Sequence, residues 1–152
     1  MADARRKAQP PVSRYAYGSR MDLNRFSTAQ RVSGVSILVV ALAAFLPWVS
    51  ILGFSVSGIN GDGVITLILA LLGAVSLATR TGLLEQVKIP HKAGAIASLV
   101  FAVLVALIGL LDMNGAAAIG LYLTLFGGIA WAVGAALELK GSTREVPAPS
   151  ES

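Results

Sequence analysis

The chain has 152 residues, of which 55% are hydrophobic and only 13% are charged, and its formal net charge is +4. A soluble domain of this size carries about 25% charged residues, so the composition disfavours a soluble fold and favours a protein embedded in a bilayer, where a charge in the hydrocarbon is costly. The chain has no cysteine, which excludes disulfides, thiolate nucleophiles and cysteine-ligated metal or iron–sulfur sites.

The N-terminal segment is polar and basic, and it contains the pair Pro10-Pro11. It shows no sustained apolar periodicity, so we predict a disordered basic segment at 1–26. The first apolar run starts only after this segment, which is too late for a signal peptide. Ser27 and Gln30 have the spacing of a capping box, and this spacing predicts that the first helix begins here.

Four apolar runs follow, and each approaches the ~20 residues that cross a hydrocarbon core of ~30 Å. Only a helix or a closed barrel satisfies its own backbone in lipid, and runs of this length favour helices. Glu138, near the end of the fourth run, is the one ionisable residue that interrupts it. We predict an all-α integral membrane protein, a four-helix bundle over 27–139 with a disordered tail at 140–152. The predicted spans are 28–50, 62–79, 91–111 and 116–139.

The basic residues predict the orientation of these spans. All 12 Lys and Arg residues lie at or before residue 31, between residues 80 and 92, or at and after residue 140, and the loops 51–63 and 112–115 contain none. The positive-inside rule then places both termini, and the tail, in the cytoplasm of a multi-pass protein of the cytoplasmic membrane. The basic charge is therefore a topology signal with a secondary role at anionic headgroups, and we expect no nucleic-acid partner.

The first outer loop, residues 51–61, is too apolar to be only a solvated linker. Before it, Pro47 is predicted in the last turn of the first helix, and Trp48 at the outer membrane interface, where an amphipathic ring is favoured. The loop's apolar residues alternate with Ser and Gly, which predicts a short extended turn or hairpin folded over the outer mouth of the bundle. We favour a capping role over a ligand site, with Phe54 as its most prominent side chain.

Asp62 and Asp112 are the only charges on the predicted outer side. They form either a cation-attracting pair at an extracellular mouth or ordinary helix ends. In the second interpretation, which we favour, Asp62 lies at the positive N-terminal end of the second helix and Asp112 helps to end the third. The single histidine, His91, lies in a basic loop with no companion ligands, so we expect a surface residue and not a metal ligand.

Small residues recur every four and every seven positions along the fourth span, and they let helix backbones approach closely in a membrane. We favour close packing within the bundle as their role, and the alternative is a face that binds a second copy or a partner protein. The predicted helix-packing residues are Gly120, Thr124, Gly127, Gly128, Ala132 and Gly134.

No motif for catalysis is present. The sequence lacks a phosphate-binding glycine loop with a lysine, an H-E-x-x-H pair, and a Ser/His/Asp set that could converge. The central parts of the spans hold no ionisable residue of the kind that proton-coupled transport needs. We therefore expect no enzyme activity, no cofactor and no metal.

Three stretches carry a resemblance to a known group of proteins: L-N-R-x-S-T at 23–28, F-L-P-W at 45–48, and a Gly/Ser loop that leads into D-G-V at 62–64. The chain resembles small four-span membrane proteins of actinobacteria and some of their phages. The resemblance covers about a third of the chain and implies an architecture; it brings no activity and no catalytic residue.

Three functions remain open at this point. The first, which we favour, is a non-enzymatic protein of the bilayer that binds a second copy or a partner protein through the fourth helix or its cytoplasmic N-terminal segment. The second, a prophage-encoded superinfection exclusion or phage-defence protein, would be indicated by integrase and repressor genes nearby. The third is a small oligomeric channel around the outer aspartates, which would conduct ions in liposomes.

Overall fold

The computed structural model describes residues 26–84, 90–113 and 115–144. The predicted disorder of 1–25 and of 145–152 lies outside these residues. Residues 140–144, which were predicted to belong to a disordered tail, instead continue the last helix. The elements are α1 (Thr28–Ala43), β1 (Pro47–Ile51), β2 (Phe54–Ser57), a 3₁₀ turn (Gly58–Asn60), α2 (Gly63–Arg80), α3 (His91–Leu111) and α4 (Ile119–Arg144).

The structure confirms a mostly helical protein with four helices, and it adds a small β-hairpin to the predicted all-α fold. Three helices, α2, α3 and α4, are long and apolar enough to cross a membrane, whereas α1 is apolar but has only 16 residues. The capping box at the start of α1 is confirmed. The backbone N–H of Gln30 donates to the Ser27 hydroxyl over 3.2 Å, and the Ser27 N–H donates to the Gln30 side chain over 3.0 Å.

The predicted first span, 28–50, is wrong at its far end because α1 stops at Ala43. A tight turn follows, in which the N–H of Leu46 donates to the carbonyl of Ala43 over 3.2 Å. Pro47 disfavours helical backbone in the residue before it, and it opens β1 rather than lying in a last helical turn. The strand then pairs with β2 through a two-residue turn at Leu52 and Gly53, whose φ angles are +48° and +86°. Positive φ at both positions is the geometry of a type I′ hairpin.

The four helices form an antiparallel bundle in which α1 packs on α2 and α4, and α3 packs on the same two helices. Trp131 of α4 fills the centre of this bundle and is fully buried. Its indole N–H donates to the Ser98 hydroxyl of α3 over 2.9 Å, and its ring lies directly against Gly73 of α2. The side chains packed around it come from the other three helices: Ile37, Val40, Ala70, Ala102 and Val105.

The charged residues divide the bundle into two ends. The basic end holds the start of α1 and α3 and the end of α2 and α4, and its described charged residues include Arg31, Arg80, Lys92 and Lys140. The acidic end holds the hairpin and the connection between α3 and α4, and its described charged residues are Asp62 and Asp112. Because successive helices run in opposite directions, the segments that carry the basic residues all meet at one end of the bundle and the two aspartates meet at the other.

Gly73→Ala tests the central contact. A Cβ at residue 73 would overlap the Trp131 ring, and forcing an extra methyl into a packed core costs about 1–3 kcal/mol. We expect that loss in the free energy of unfolding, measured by denaturant titration in detergent micelles. Gly141→Ala is the matched control, because nothing lies within 4 Å of a Cβ at residue 141 of the same bundle. It should be neutral or stabilising by up to about 1 kcal/mol, and an equal loss in both variants would contradict the packing.

Candidate functional site

A buried ion pair lies at the basic end of the bundle. The Nη1 of Arg80, at the end of α2, donates to the Oε2 of Glu138 on α4. Only 2% of the arginine side chain and 7% of the glutamate side chain are exposed. The pair joins two helices that face each other across the bundle, so it fixes their relative position at this end.

Side chains and carbonyls from all four helices support this ion pair. The Ser33 hydroxyl of α1 donates to Glu138 Oε1 over 3.1 Å, and Arg80 Nε donates to the Ser76 carbonyl over 3.1 Å. The Ser76 hydroxyl in turn donates to the carbonyl of Gly94 on α3 over 3.0 Å. Gly94 also makes room for the arginine, since a Cβ at residue 94 would lie 2.8 Å from Arg80 Cδ.

The Nη2 atom of Arg80 is buried and has no hydrogen-bond partner. An ion pair that is removed from water and incompletely hydrogen-bonded is a weak source of stability, because the desolvation of both charges opposes their attraction. From the sequence, Arg80 falls in the loop just after the second predicted span and Glu138 interrupts the fourth, and nothing in these positions by themselves predicts a pair. The signal that could have revealed it is one charge of each sign at the same end of two predicted spans.

Trp48 is packed inside the acidic end, so its ring faces the protein interior, whereas the prediction had it facing the surroundings at the outer interface. It is only 5% exposed. Its indole N–H donates to the carbonyl of Ala43 over 2.9 Å, so this carbonyl at the end of α1 accepts from both Trp48 and the Leu46 N–H. The ring packs on Gly58, and a Cβ at Gly120 would lie 2.7 Å from its Cδ1 atom. The reversal of the chain after α1 turns the tryptophan inward, and two glycines leave space for it.

A cavity of about 210 Å³ lies beside Trp48, beneath the base of the hairpin. Asp62 and Asp112 both line it, so the structure brings the two predicted outer aspartates to one site. Each also occupies the helix-end position that we favoured, Asp62 as the N-cap of α2 and Asp112 as the C-cap of α3. The Asp62 side chain makes no capping hydrogen bond. The rest of the wall is formed by Val49, Val56, Ser57, Gly58, Asn60, Gly61 and Leu121.

Burial raises the pKa of Asp112, and the nearby charge of Asp62 raises it further. The folded state therefore favours the protonated form of Asp112 more than the unfolded chain does. This contribution to stability is present below the ordinary pKa of an aspartate, and it is lost as the pH rises through the raised pKa. Among the described residues, no group of three or more His, Asp or Glu side chains is arranged to hold a metal ion.

The hairpin is held at its base and exposed at its tip. The N–H of Ser50 donates to the carbonyl of Ala116 over 2.9 Å, and the N–H of Ala118 donates to the carbonyl of Trp48 over 2.7 Å. These bonds attach β1 to the chain that leads into α4. Phe54, at the other end of the hairpin, is 82% exposed. The hairpin that the alternating pattern predicted is confirmed, and its base lies against the cavity.

The predicted helix-packing residues divide into two groups. Gly120, Thr124, Gly127, Gly128 and Gly134 are buried inside the bundle. Of these, Gly127 lies against Val40 of α1, Gly128 against Ala106 of α3, and Gly134 against Ser33 of α1.

Ala132 alone of the predicted set is only half-buried, and it lies in a groove on the outside of the bundle. This α3–α4 groove has a volume of about 480 Å³, and all of its wall is apolar. The groove is lined by Leu99, Val103, Ala106, Leu107, Leu110, Leu125, Ile129, Ala132, Val133 and Ala136.

The ion pair predicts a specific pattern in a double-mutant cycle of Arg80→Met and Glu138→Leu. Each single change leaves one buried charge without its partner and should cost about 3–5 kcal/mol. The double variant should lose less than either single variant, because no uncompensated charge remains. The free energy of unfolding in detergent measures all three. Lys92→Met, which removes an exposed charge on α3, is the control and should change the free energy of unfolding by less than about 0.5 kcal/mol. If the loss in the double variant equalled the sum of the two single losses, the result would argue against the pair.

Comparison of the chain with protein-family models, with curated proteins and with solved structures found no match. The resemblance to small four-span membrane proteins therefore stays a prediction.

Proposed function

We propose that the chain is a four-pass protein of the cytoplasmic membrane, and that it acts without catalysis by packing against a second copy of itself. The three long apolar helices support contact with a bilayer. The α3–α4 groove is the observation that carries the second part of the proposal. Trp131 fills the centre of the bundle. Another protein can therefore bind only at the surface of the bundle.

The packing of α1 supports its role as the fourth span. It lies between α2 and α4 in the same bundle, although its 16 residues extend only about 24 Å. The side chains on its outward face are apolar and exposed, with Val35 64%, Leu38 59% and Leu42 58% accessible. A water-exposed face of this kind would be unfavourable, whereas lipid accepts it.

The charges of the two ends support an orientation with both termini in the cytoplasm. Lys and Arg residues are concentrated at the basic end, whereas Asp62 and Asp112 are the described charges at the acidic end. The positive-inside rule places the basic end on the cytoplasmic side. The acidic end, with the hairpin and the cavity, then faces away from the cytoplasm.

The groove has the features of a helix-docking surface in lipid. Between Leu99 and Leu110 it follows α3 for about three helical turns, or roughly 16 Å. Ala106, Ala132 and Ala136 contribute the smallest side chains to its lining. Small residues allow the backbone of another helix to approach closely, and dispersion contacts rather than water exclusion drive such association in membranes. Two residues of the lining, Ile129 and Val133, are apolar and exposed at the surface.

Single-cysteine crosslinking tests the self-association, since the native chain contains no cysteine. In membranes, Ile129→Cys and Val133→Cys should give a covalent dimer with a short bifunctional maleimide. Leu71→Cys and Val75→Cys on α2 are matched controls, because their side chains are 58% and 51% exposed on another helix. These controls should give little dimer. A crosslink from residue 133 to a different protein, or equal dimer yields from both helices, would contradict self-association through the groove.

The orientation is tested by labelling intact cells with a membrane-impermeant maleimide. Asn60→Cys at the acidic end should react without permeabilisation, because this end is proposed to face outward. Lys92→Cys at the basic end should react only after permeabilisation. Both side chains are exposed in the structure, so burial does not account for a difference between them. The reverse pattern would overturn the orientation and leave the bundle itself untouched.

A further inference from the structure

The hairpin presents an apolar tip, which we define as Ile51, Leu52 and Phe54. These side chains are 54%, 94% and 82% exposed, respectively. Exposed apolar residues this close together usually mark a surface that binds another molecule or a membrane. The tip lies beyond the cavity, since none of its three residues lines that wall.

The base of the hairpin fixes the position of the tip relative to the helices. Trp48 is buried between α1 and α4, and the Ser57 hydroxyl donates to the carbonyl of Phe45 over 3.1 Å. The backbone bonds from β1 to Ala116 and Ala118 hold the other side. These contacts attach the base of the hairpin to the acidic end on both sides, and the tip projects from that base.

Charge and length indicate what surrounds the tip. No charged residue occurs between Arg31 and Asp62, a stretch that includes α1 after its first turn and the whole hairpin. The helix α1 extends about 24 Å, which is shorter than the ~30 Å of a hydrocarbon core. Phe45, just past its end, is 57% exposed. The chain therefore enters the hairpin while it is still near the boundary of the hydrocarbon.

The backbone restricts the hairpin to the interfacial layer of the bilayer. Its sheet has only two strands, so β2 is an edge strand with polar groups on its outward side. Such an edge does not occur in hydrocarbon, but water and headgroups can satisfy it at the membrane surface. Apolar and aromatic side chains are favoured at the same depth. Only in the interfacial layer are the apolar side chains kept from water while the polar groups of the strand edge still find hydrogen-bond partners.

We infer that the apolar tip inserts into the interfacial layer of the bilayer at the acidic end, and that a lipid surface is the ligand of this hairpin. The inference rests on the four-pass arrangement proposed above, because that arrangement places α1 and the hairpin at the membrane. It does not depend on self-association through the α3–α4 groove. Because α1 alone is too short to cross the hydrocarbon core, the hairpin completes this span by anchoring its outer end in the interfacial layer.

Fluorescence quenching in vesicles of phosphatidylcholine and phosphatidylglycerol tests this inference. The cysteine-free chain is converted to Leu52→Cys, Phe54→Cys, Asn60→Cys or Val100→Cys, and each variant is labelled with an environment-sensitive nitrobenzoxadiazole probe. Residues 52 and 54 report the tip, and residue 60 reports the acidic end outside the tip. Residue 100 reports an exposed position near the middle of α3 and outside the α3–α4 groove. Lipids that carry a spin label near the headgroup or deep in the acyl chain quench from the membrane, and iodide quenches from water.

We expect probes at 52 and 54 to emit at shorter wavelength than the probe at 60 and to be quenched best by the shallow spin label. Their iodide quenching should be several-fold weaker than at 60. Iodide quenching at 52 and 54 as strong as at 60 would overturn the inference, because it would place the tip in water. Weak quenching by iodide and by both spin labels would also overturn it, because it would show that protein covers the tip. The probe at 100, in the middle of α3, should be quenched by the deep label. Failure there would instead contradict the four-pass arrangement, so the two proposals fail separately.

Discussion

The close approach of α4 to the other helices is the contact on which the rest of the bundle depends. Lipid supplies no water-driven force between helices, so their association relies on packing and on interhelical hydrogen bonds. Gly127 and Gly134 bring α4 against α1, and Gly128 brings it against α3. Trp131 then reaches across the centre to Gly73 of α2. One helix therefore contacts all three others, through glycines on two sides and a tryptophan on the third.

The two ends of the bundle follow from this central helix in different ways. At the basic end, α4 contributes Glu138, and its partner Arg80 comes from the helix opposite. At the acidic end, Gly120 of α4 leaves room for Trp48, which closes the bundle from the hairpin side. At the basic end an ion pair joins α2 to α4. At the acidic end the Trp48 ring, whose indole N–H is hydrogen-bonded, packs between α1 and α4. The cavity with the two aspartates lies only at the second end.

The sequence predicted the features that depend on composition and local spacing. The helical fold, the capping box at Ser27 and the presence of an extended turn after residue 50 all come from patterns within a few neighbouring residues. The end of α1 was placed too far along the chain because apolarity continues through Trp48 and Ser50, and apolarity alone does not separate a buried helix from a strand. Pro47 carried the information that the helix ends earlier.

The features that the sequence interpretation missed depend on which helices face each other. The Arg80–Glu138 pair and the inward position of Trp48 require the order of the helices around the bundle, which a single sequence does not supply. The small residues of α4 show the same limit, because their spacing indicates close packing without indicating its partner. Only the structure separates Gly128, which lies against α3, from Ala132, which lies in the outer groove.

The buried ion pair is better explained by specificity than by stability. Arg80 Nη2 has no hydrogen-bond partner, so the desolvation of the pair is only partly compensated. The spans are rich in Ala, Leu and Val, and such surfaces pack in several alternative arrangements at similar free energy. A single pair of opposite charges disfavours any arrangement that buries Arg80 or Glu138 without the other, because an uncompensated buried charge is costly. The Arg80–Glu138 pair and the Trp131–Gly73 contact both connect α2 to α4, which lie diagonally opposite each other in the bundle. Two independent contacts therefore define the order of the helices around the bundle. That order in turn builds the hairpin end and the α3–α4 groove.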